Sequence, residues 1–221
     1  HDDALTERAS RLHDDLLSGD ETRRFAAVMS LKKFAASALF DQLGGGFYRA
    51  ARDSEMRVPS FERALADQAA MIMLYLDAFG LTREPRFAEV ARMTATAMVR
   101  DFADRKSGVF YNGLQSVSLV PRRGPALVEG GAYVWEASEI HHLRGESDAS
   151  LFFQYYGVRA EGNIPPQLDP SGDLAGRNVL FLALDPENDE VVQRLAAARA
   201  KLLDVRLNRP PAPLDARVLA G

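Results

Sequence analysis

Apolar residues recur every three to four positions along most of the chain, and clusters of Gly, Pro and short polar residues interrupt that rhythm. The rhythm predicts seven helices. The first covers roughly 3–17 and stops at Ser18-Gly19. Asp20 caps the second, roughly 21–40, whose apolar face carries Phe25, Val28, Met29, Leu31, Phe34, Ala35, Ala38 and Leu39. Ser60 caps a third helix, roughly 61–79, with Phe61, Leu65, Gln68, Ile72, Leu76 and Phe79 on one stripe. Met71, Leu74, Tyr75 and Ala78 carry apolar character around the cylinder, which predicts a helix buried on most sides. Pro85 opens the fourth, roughly 85–103, with Phe87, Val90, Ala91, Thr94 and Met98 inward and Arg86, Glu89, Arg92 and Arg100 outward. Shorter helices at about 136–144 and 148–156 precede a last one at about 187–206, which starts after Asp185-Pro186.

The connections carry more information than the helices. Short turns at Ser18-Gly19-Asp20, Gly80-Leu81-Thr82-Arg83 and Gly145-Glu146-Ser147 join the helices in pairs. The links 41–60, 104–135 and 157–186 are long and contain strand-like runs at Phe47–Ala50, Val109–Asn112, Ala132–Trp135 and Asn178–Leu182. Antiparallel helices alternate direction, so the short turns fall at one end and the long links at the other. The expected fold is all-α, with helical hairpins forming part of an α/α toroid and short β pieces in loops at one end. An irregular helical bundle fits the same spacing. The expected domain is 1–206, followed by a Pro-rich tail at 207–221 that cannot extend the last helix. That tail either packs back on the bundle or leads to a continuation.

Composition narrows the function classes. The 221 residues suffice for a sizeable core. A net charge of −4 argues against a nucleic-acid partner, and Arg122-Arg123 is an isolated basic doublet. The absence of Cys removes thiol chemistry and disulfides, and it suits the expected cytoplasmic location as it would a periplasmic one. No apolar run approaches the roughly 20 residues that span a bilayer, and the acidic start His1-Asp2-Asp3 is no secretory signal. A start without Met suggests a piece of a longer protein.

The segment Asp41-Gln42-Leu43-Gly44-Gly45-Gly46-Phe47-Tyr48-Arg49 is the strongest candidate for a built site. Its three glycines stop a helix, but no phosphate-loop or dinucleotide pattern surrounds them. Asp41, Asp53, Glu55, Glu62 and Asp67 make the neighbourhood rich in carboxylates. Glycoside chemistry needs two carboxylates across a cleft, which nominates Glu62 and Asp67 as a catalytic pair. The competing interpretation is structural: Arg63 and Asp67 have i,i+4 ion-pair spacing, and Glu62 suits a helix start. Phe47, Tyr48, Phe110, Tyr111, Tyr133 and Trp135 all fall in the long links, where aromatic faces either stack on a sugar or anchor the loops. Asp41, Phe47, Tyr48, Arg49, Gln68, Tyr111 and Trp135 are the candidate substrate-binding residues. The adjacent His141 and His142 diverge on a helix, and no metal site or cofactor is expected.

These motifs, together with Val58-Pro59-Ser60-Phe61-Glu62-Arg63, Asp67-Gln68-Ala69, Tyr133-Val134-Trp135, Tyr155-Tyr156-Gly157-Val158, Gly162-Asn163 and Asn178-Val179-Leu180, resemble a known family. It is the thioredoxin-domain-containing proteins of the spermatogenesis-associated and bacterial YyaL type. The resemblance implies an (α/α)6 toroid similar to N-acylglucosamine 2-epimerases and six-hairpin glycosidases, here without the thioredoxin-like domain. It covers most of the chain. Departures from the family pattern are concentrated at polar positions. Ser60 and Arg63 stand where the family has His and Lys in V-P-H-F-E-K, and Leu114-Gln115-Ser116-Val117-Ser118 replaces L-D-A-D-S. Ala216 and Arg217 replace the second acid and the Lys of D-D-K-V-L. Two functions follow as expectations. One is a degenerate, non-catalytic toroid segment that binds a carbohydrate or other small molecule, or serves as an interaction module. The other is a sugar-active enzyme, of isomerase, epimerase or glycosidase type. An incomplete toroid further predicts an open apolar seam covered by a second copy, a partner or the rest of the toroid.

Overall fold

The computed structural model describes residues 5–104, 106–120 and 126–218, without the side chains of 216–218. Arg122-Arg123, His1-Asp2-Asp3 and Leu219 lie outside the described residues. Seven α-helices dominate: α1 (Leu5–Leu16), α2 (Glu21–Ala36), α3 (Leu65–Thr82), α4 (Pro85–Asp101), α5 (Ala137–Arg144), α6 (Glu146–Tyr156) and α7 (Asp189–Leu207). Local chemistry sets most of their ends. The Asp20 carboxylate accepts from the Thr22 and Arg23 N–H groups at the start of α2, and the Asn188 amide oxygen accepts from Val191 N–H at α7. Pro85 occupies the first turn of α4, where its missing donor costs nothing. Arg83 and Gly157 close α3 and α6 in the left-handed conformation.

Two expected ends are corrected. Helix α2 stops at Ala36 rather than near residue 40, because Ser37 turns extended and the Gln42 amide donates to the Ala35 and Ser37 carbonyls. Helix α3 begins at Leu65, not at Phe61, and Ala64 rather than Ser60 precedes it. Phe61 adopts φ +59°, and Ser60 Oγ accepts from Ala50 N–H instead of capping a helix. Glu62 therefore lies in the approach to α3.

Helix α1 packs on α2 and α3, and α3 on α4, so two hairpins share one core. Helices α5, α6 and α7 pack together around a second core that holds Trp135, Ile140, Phe152, Tyr156, Leu195 and Leu202. The burial faces differ from the expected ones where a helix is apolar all round. Phe25 is 67% exposed, and Met29 and Leu76 are each 47% exposed. Helix α3 is not enclosed on most sides: it buries Met71, Leu74, Tyr75 and Ala78 and exposes Met73 and Leu76. A pattern without a polar face cannot select which side turns inward. On α4, Ala97 is buried where Met98 was expected, and Arg100 points inward to donate to the Gly44 carbonyl.

The chain is mostly helical, but the β pieces form sheets. Strands β1 (Arg63–Ala64), β2 (Tyr111–Leu114) and β5 (Leu214–Val218) make an antiparallel sheet in the order β1-β2-β5, and β3 (Val117–Leu119) pairs with β4 (Leu127–Glu129). The runs at Phe47–Ala50, Ala132–Trp135 and Asn178–Leu182 contribute only isolated bridges, Phe40 with Phe47 and Trp135 with Asn178. The tail packs back on the domain: β5 pairs with β2, with Leu214 opposite Leu114. The three long links touch one another. The Tyr48 and Tyr133 rings meet edge-on at 5.3 Å, Trp135 pairs with Asn178, and Arg52 donates to the Leu168 carbonyl at 2.8 Å. Among the described residues, no helix is long and apolar enough to cross a membrane.

The glycine turn is closed tightly enough to exclude a side chain. Gly45 has φ +77°, and a Cβ there would run into the Met93 backbone carbonyl of α4. Gly45→Ala is therefore expected to destabilise the protein by about 2–3 kcal/mol from backbone strain and clash, read as a lower urea midpoint. Gly80→Ala, on α3 with open space around the added Cβ, should not be destabilising.

Candidate functional site: a buried ion triad beside a polar mouth

The site is organised by Asp41. Its backbone N–H donates to the Gly46 carbonyl and its own carbonyl accepts from Gly45 N–H, both at 2.9 Å, which closes the turn. Its Oδ1 accepts from the Leu43 and Gly44 N–H groups at 3.1 Å, so the carboxylate is held by its own loop before any cation reaches it. Two arginines then converge on it. Arg206, in the last turn of α7, binds both oxygens at 2.8 and 2.7 Å, and Arg63, on β1, reaches Oδ2 at 2.5 Å. All three residues are buried. A Cβ at Gly44 would collide with the Arg206 guanidinium, so that glycine makes room for the cation. Gly46 likewise leaves room for Gln68, whose amide holds both the N–H and the C=O of Phe47.

Burial alone would raise the Asp41 carboxyl, but Arg206, Arg63 and the Gly44 N–H hold it far below the usual carboxylate range. The Arg63 guanidinium packs against both the Tyr48 and Tyr133 rings, at 4.7 and 5.1 Å from their centroids, while the two rings meet each other edge-on. Burial, with Asp41 nearby, pushes the Tyr48 phenol up, which leaves it a neutral ring for the guanidinium to stack on. Arg63 also reaches Asp101 at 3.4 Å, and Arg100 binds both Asp101 oxygens at 2.6 Å.

The candidate residues divide into two groups. Glu62 and Arg49 form an ion pair at 3.0 Å and line a polar mouth of about 600 Å³ together with Asn112, Gln115, Ser116 and Asp215. Asp41, Phe47, Tyr48, Gln68 and Trp135 are enclosed by protein, and Tyr111 is half-buried on β2. Asp67 is buried behind the mouth, where its Oδ1 accepts from Thr6 N–H in the first turn of α1. It thus serves as a cap supplied by a neighbouring helix. Burial pushes the Asp67 carboxyl up against the opposing pull of Arg49 and Thr6, and its Oδ2 has no hydrogen-bond partner among the described residues. The i,i+4 pair of Arg63 with Asp67 does not form, because Arg63 turns to Asp41 and Asp101. His13 pairs with Asp77 at 2.8 Å, and His142 contacts the Ser138 carbonyl. Among the described residues no group of three or more His, Cys, Asp or Glu could hold a metal ion.

Sequence reasoning missed Arg206, Arg100 and Asp101. A signal existed for Arg206: Leu195, Ala198 and Leu202 run down the buried stripe of α7, and Arg206 falls on its next step.

Fold and site define a protein of helical hairpins joined through a buried carboxylate–diarginine triad, with a polar mouth beside it. The chain is homologous to spermatogenesis-associated protein 20. It is 32% identical to the Homo sapiens protein over 213 residues, 88% of this chain and 27% of that relative, with the same figures for the Mus musculus protein. An uncharacterized Caenorhabditis elegans protein is 29% identical over 207 residues, 87% of this chain and 28% of the relative. The chain thus spans about a quarter of the length of the curated relatives it matches. No family model matches the chain.

Asp41→Asn leaves two buried guanidinium groups without their carboxylate and is expected to cost about 3–5 kcal/mol in urea unfolding at neutral pH. The sign of the pH effect follows from the depressed Asp41 carboxyl. Its contribution is present above the unfolded-state value near 3.9 and is lost as pH falls toward its lower folded value. The stability gap between wild type and Asp41→Asn should therefore narrow below about pH 4.

Proposed function

We propose that the chain is a non-catalytic ligand-binding or interaction module built as part of an (α/α)6 toroid, with the polar mouth as its ligand seat. Three hairpins, α1/α2, α3/α4 and α5/α6, with long links that touch one another, support the toroid. The observation that carries the non-catalytic reading is that Asp67, although near enough to feel the Glu62 charge, does not line the mouth. Glu62 stands in the mouth, ion-paired to Arg49, whereas Asp67 lies behind it as a cap for α1. Acid–base chemistry on a sugar needs two carboxylates flanking one substrate-sized space. Arg49, Glu62, Asn112, Gln115 and Asp215 offer charged and amide groups of both hydrogen-bonding senses, the chemistry that recognises a carbohydrate or another small polar molecule. The exposed apolar face of α3 around Met73 and Leu76 is the seam expected to meet a second copy or further toroid helices.

The alternative is a sugar-active enzyme. One observation favours it: Asp215, held by Asn112 at 3.0 Å, lines the same mouth as Glu62 and supplies a second carboxylate there. A monosaccharide panel separates the readings. Under the module reading, at least one sugar raises the melting temperature saturably, Glu62→Gln weakens its binding about tenfold, and the sugar is recovered unchanged. Conversion of the sugar, abolished by Glu62→Gln, would establish the enzyme instead. The absence of any saturable shift across the panel would overturn the carbohydrate ligand in both readings.

A further inference from the structure

A second cavity of about 360 Å³ lies between the C-terminal ends of α4 and α7 and the proline-rich segment that leads to β5. Leu114, Ala132, Leu207 and the run from Pro210 to Leu214 give it apolar walls, while Arg100, Asp101, Arg206, Arg209 and Tyr133 supply the remainder. This composition, mostly apolar with a few convergent polar groups, is that of a small-molecule site. It is distinct from the polar mouth: of the two linings, Leu114 alone is shared.

The charges around the cavity do not balance. Among the described residues the connected ion pairs join Arg63, Arg100 and Arg206 to Asp41 and Asp101, three guanidinium groups against two carboxylates, while Arg209 pairs separately with Glu139. The imbalance falls on the cavity side. Arg209 is 8% exposed, stacks on the Trp135 ring at 3.8 Å, and donates to the Ala132 and Val134 carbonyls and to Glu139. Its Nε–H is nevertheless buried without an acceptor among the described residues. Burial, together with repulsion from Arg206 and Arg177, outweighs Glu139 and draws its guanidinium below the ordinary arginine range. Arg100 is the most accessible of the three cavity arginines, with 18% of its side chain exposed against 7% for Arg206 and 6% for Arg209.

We infer that this cavity binds a small organic monoanion, a carboxylate with an apolar body, with the carboxylate toward Arg100 and the body against Leu207 and the prolines. One negative charge restores the balance of the cluster. Of the five N–H donors of Arg100, three serve Asp101 and the Gly44 carbonyl, which leaves one on each Nη for a ligand carboxylate. The apolar walls account for the body of the ligand, which a free inorganic anion would leave uncovered.

Benzoate and its neutral analogue benzyl alcohol test this on the full chain, by thermal shift and by amide chemical-shift mapping. Benzoate should raise the melting temperature saturably, benzyl alcohol should bind at least about tenfold more weakly, and added salt should weaken benzoate. The mapped shifts should centre on Tyr133 and residues 206–214. Arg100→Gln should weaken benzoate about tenfold, and Ala212→Leu, which fills the cavity and leaves every arginine in place, should abolish it. Equal binding of both probes would overturn the charge argument. Benzoate shifts centred elsewhere, or benzoate binding that survives in folded Ala212→Leu, would overturn the location. No saturable response of the folded wild-type chain would overturn the site altogether.

Discussion

The structure depends on the contact between the Asp41 carboxylate and the guanidinium groups of Arg63 and Arg206. It joins three segments that are far apart in the chain: the loop after α2, strand β1 and the end of α7, with Asp41 and Arg206 separated by 165 residues. Removing three charges from water is costly, and their attraction repays it only when the remaining donors and acceptors are also satisfied. That condition is met for the carboxylate, whose Oδ1 takes two backbone N–H groups and one Arg206 nitrogen while Oδ2 takes Arg206 and Arg63. It is not met at every atom of the triad, since Arg63 Nε–H is buried without an acceptor among the described residues.

The placement of the chain end follows from that anchor. With Arg206 fixed in the loop of Asp41, Arg209 three residues later lies over Trp135 and binds the carbonyls of Ala132 and Val134. Pro210 to Pro213 cannot continue the helix, and Gln115 N–H donates to the Pro213 carbonyl, which aligns β5 beside β2. Arginine–aromatic stacking runs through the whole region. Arg63 faces Tyr48 and Tyr133, Arg206 faces Tyr133 at 5.4 Å, and Arg209 faces Trp135. The aromatics of the long links therefore have a second duty besides core packing: they shield the cations that hold the links together.

What the sequence discloses and what it hides divide along the range of the interaction. Helix number, the joining of helices in pairs and the starts at Asp20 and Pro85 are local and legible from capping and periodicity, although residues 80–82 and Glu146-Ser147 belong to α3 and α6 rather than to the expected turns. The inward face of α3 is not, since Met73 and Leu76 are as apolar as Met71 and Tyr75 and only the neighbours of α3 decide between them. Ser60 has the right chemistry for a cap, but the left-handed Phe61 beside it delays the helix to Leu65. Asp67 reads locally as an ion-pair partner or a catalytic acid; its partner is the start of α1, 61 residues away. Asp41 and the glycines mark the site in the sequence. Of the arginines that complete it, Arg206 is marked by its step on the buried stripe of α7, while Arg63 carries no such mark.

The departures from the resembled pattern can be examined in the same terms. Arg63 stands where that pattern has Lys, and it contacts two carboxylates and the Gly45 carbonyl while packing against two phenol rings. An ammonium group has neither the planar face nor the fixed fork of donors for these contacts. The two acids of the pattern fall at Gln115 and Val117, while Ser118 keeps the Ser of the pattern, fully buried with its hydroxyl accepting from Ala132 N–H at 2.7 Å. Gln115 is exposed and lines the mouth, and Val117 pairs with Glu129 between β3 and β4, so the wall is uncharged at both positions. Both departures end in scaffold contacts of this chain: Arg63 keeps a positive charge and places it on Asp41 and Asp101, and the 114–118 segment joins the strands beside the mouth.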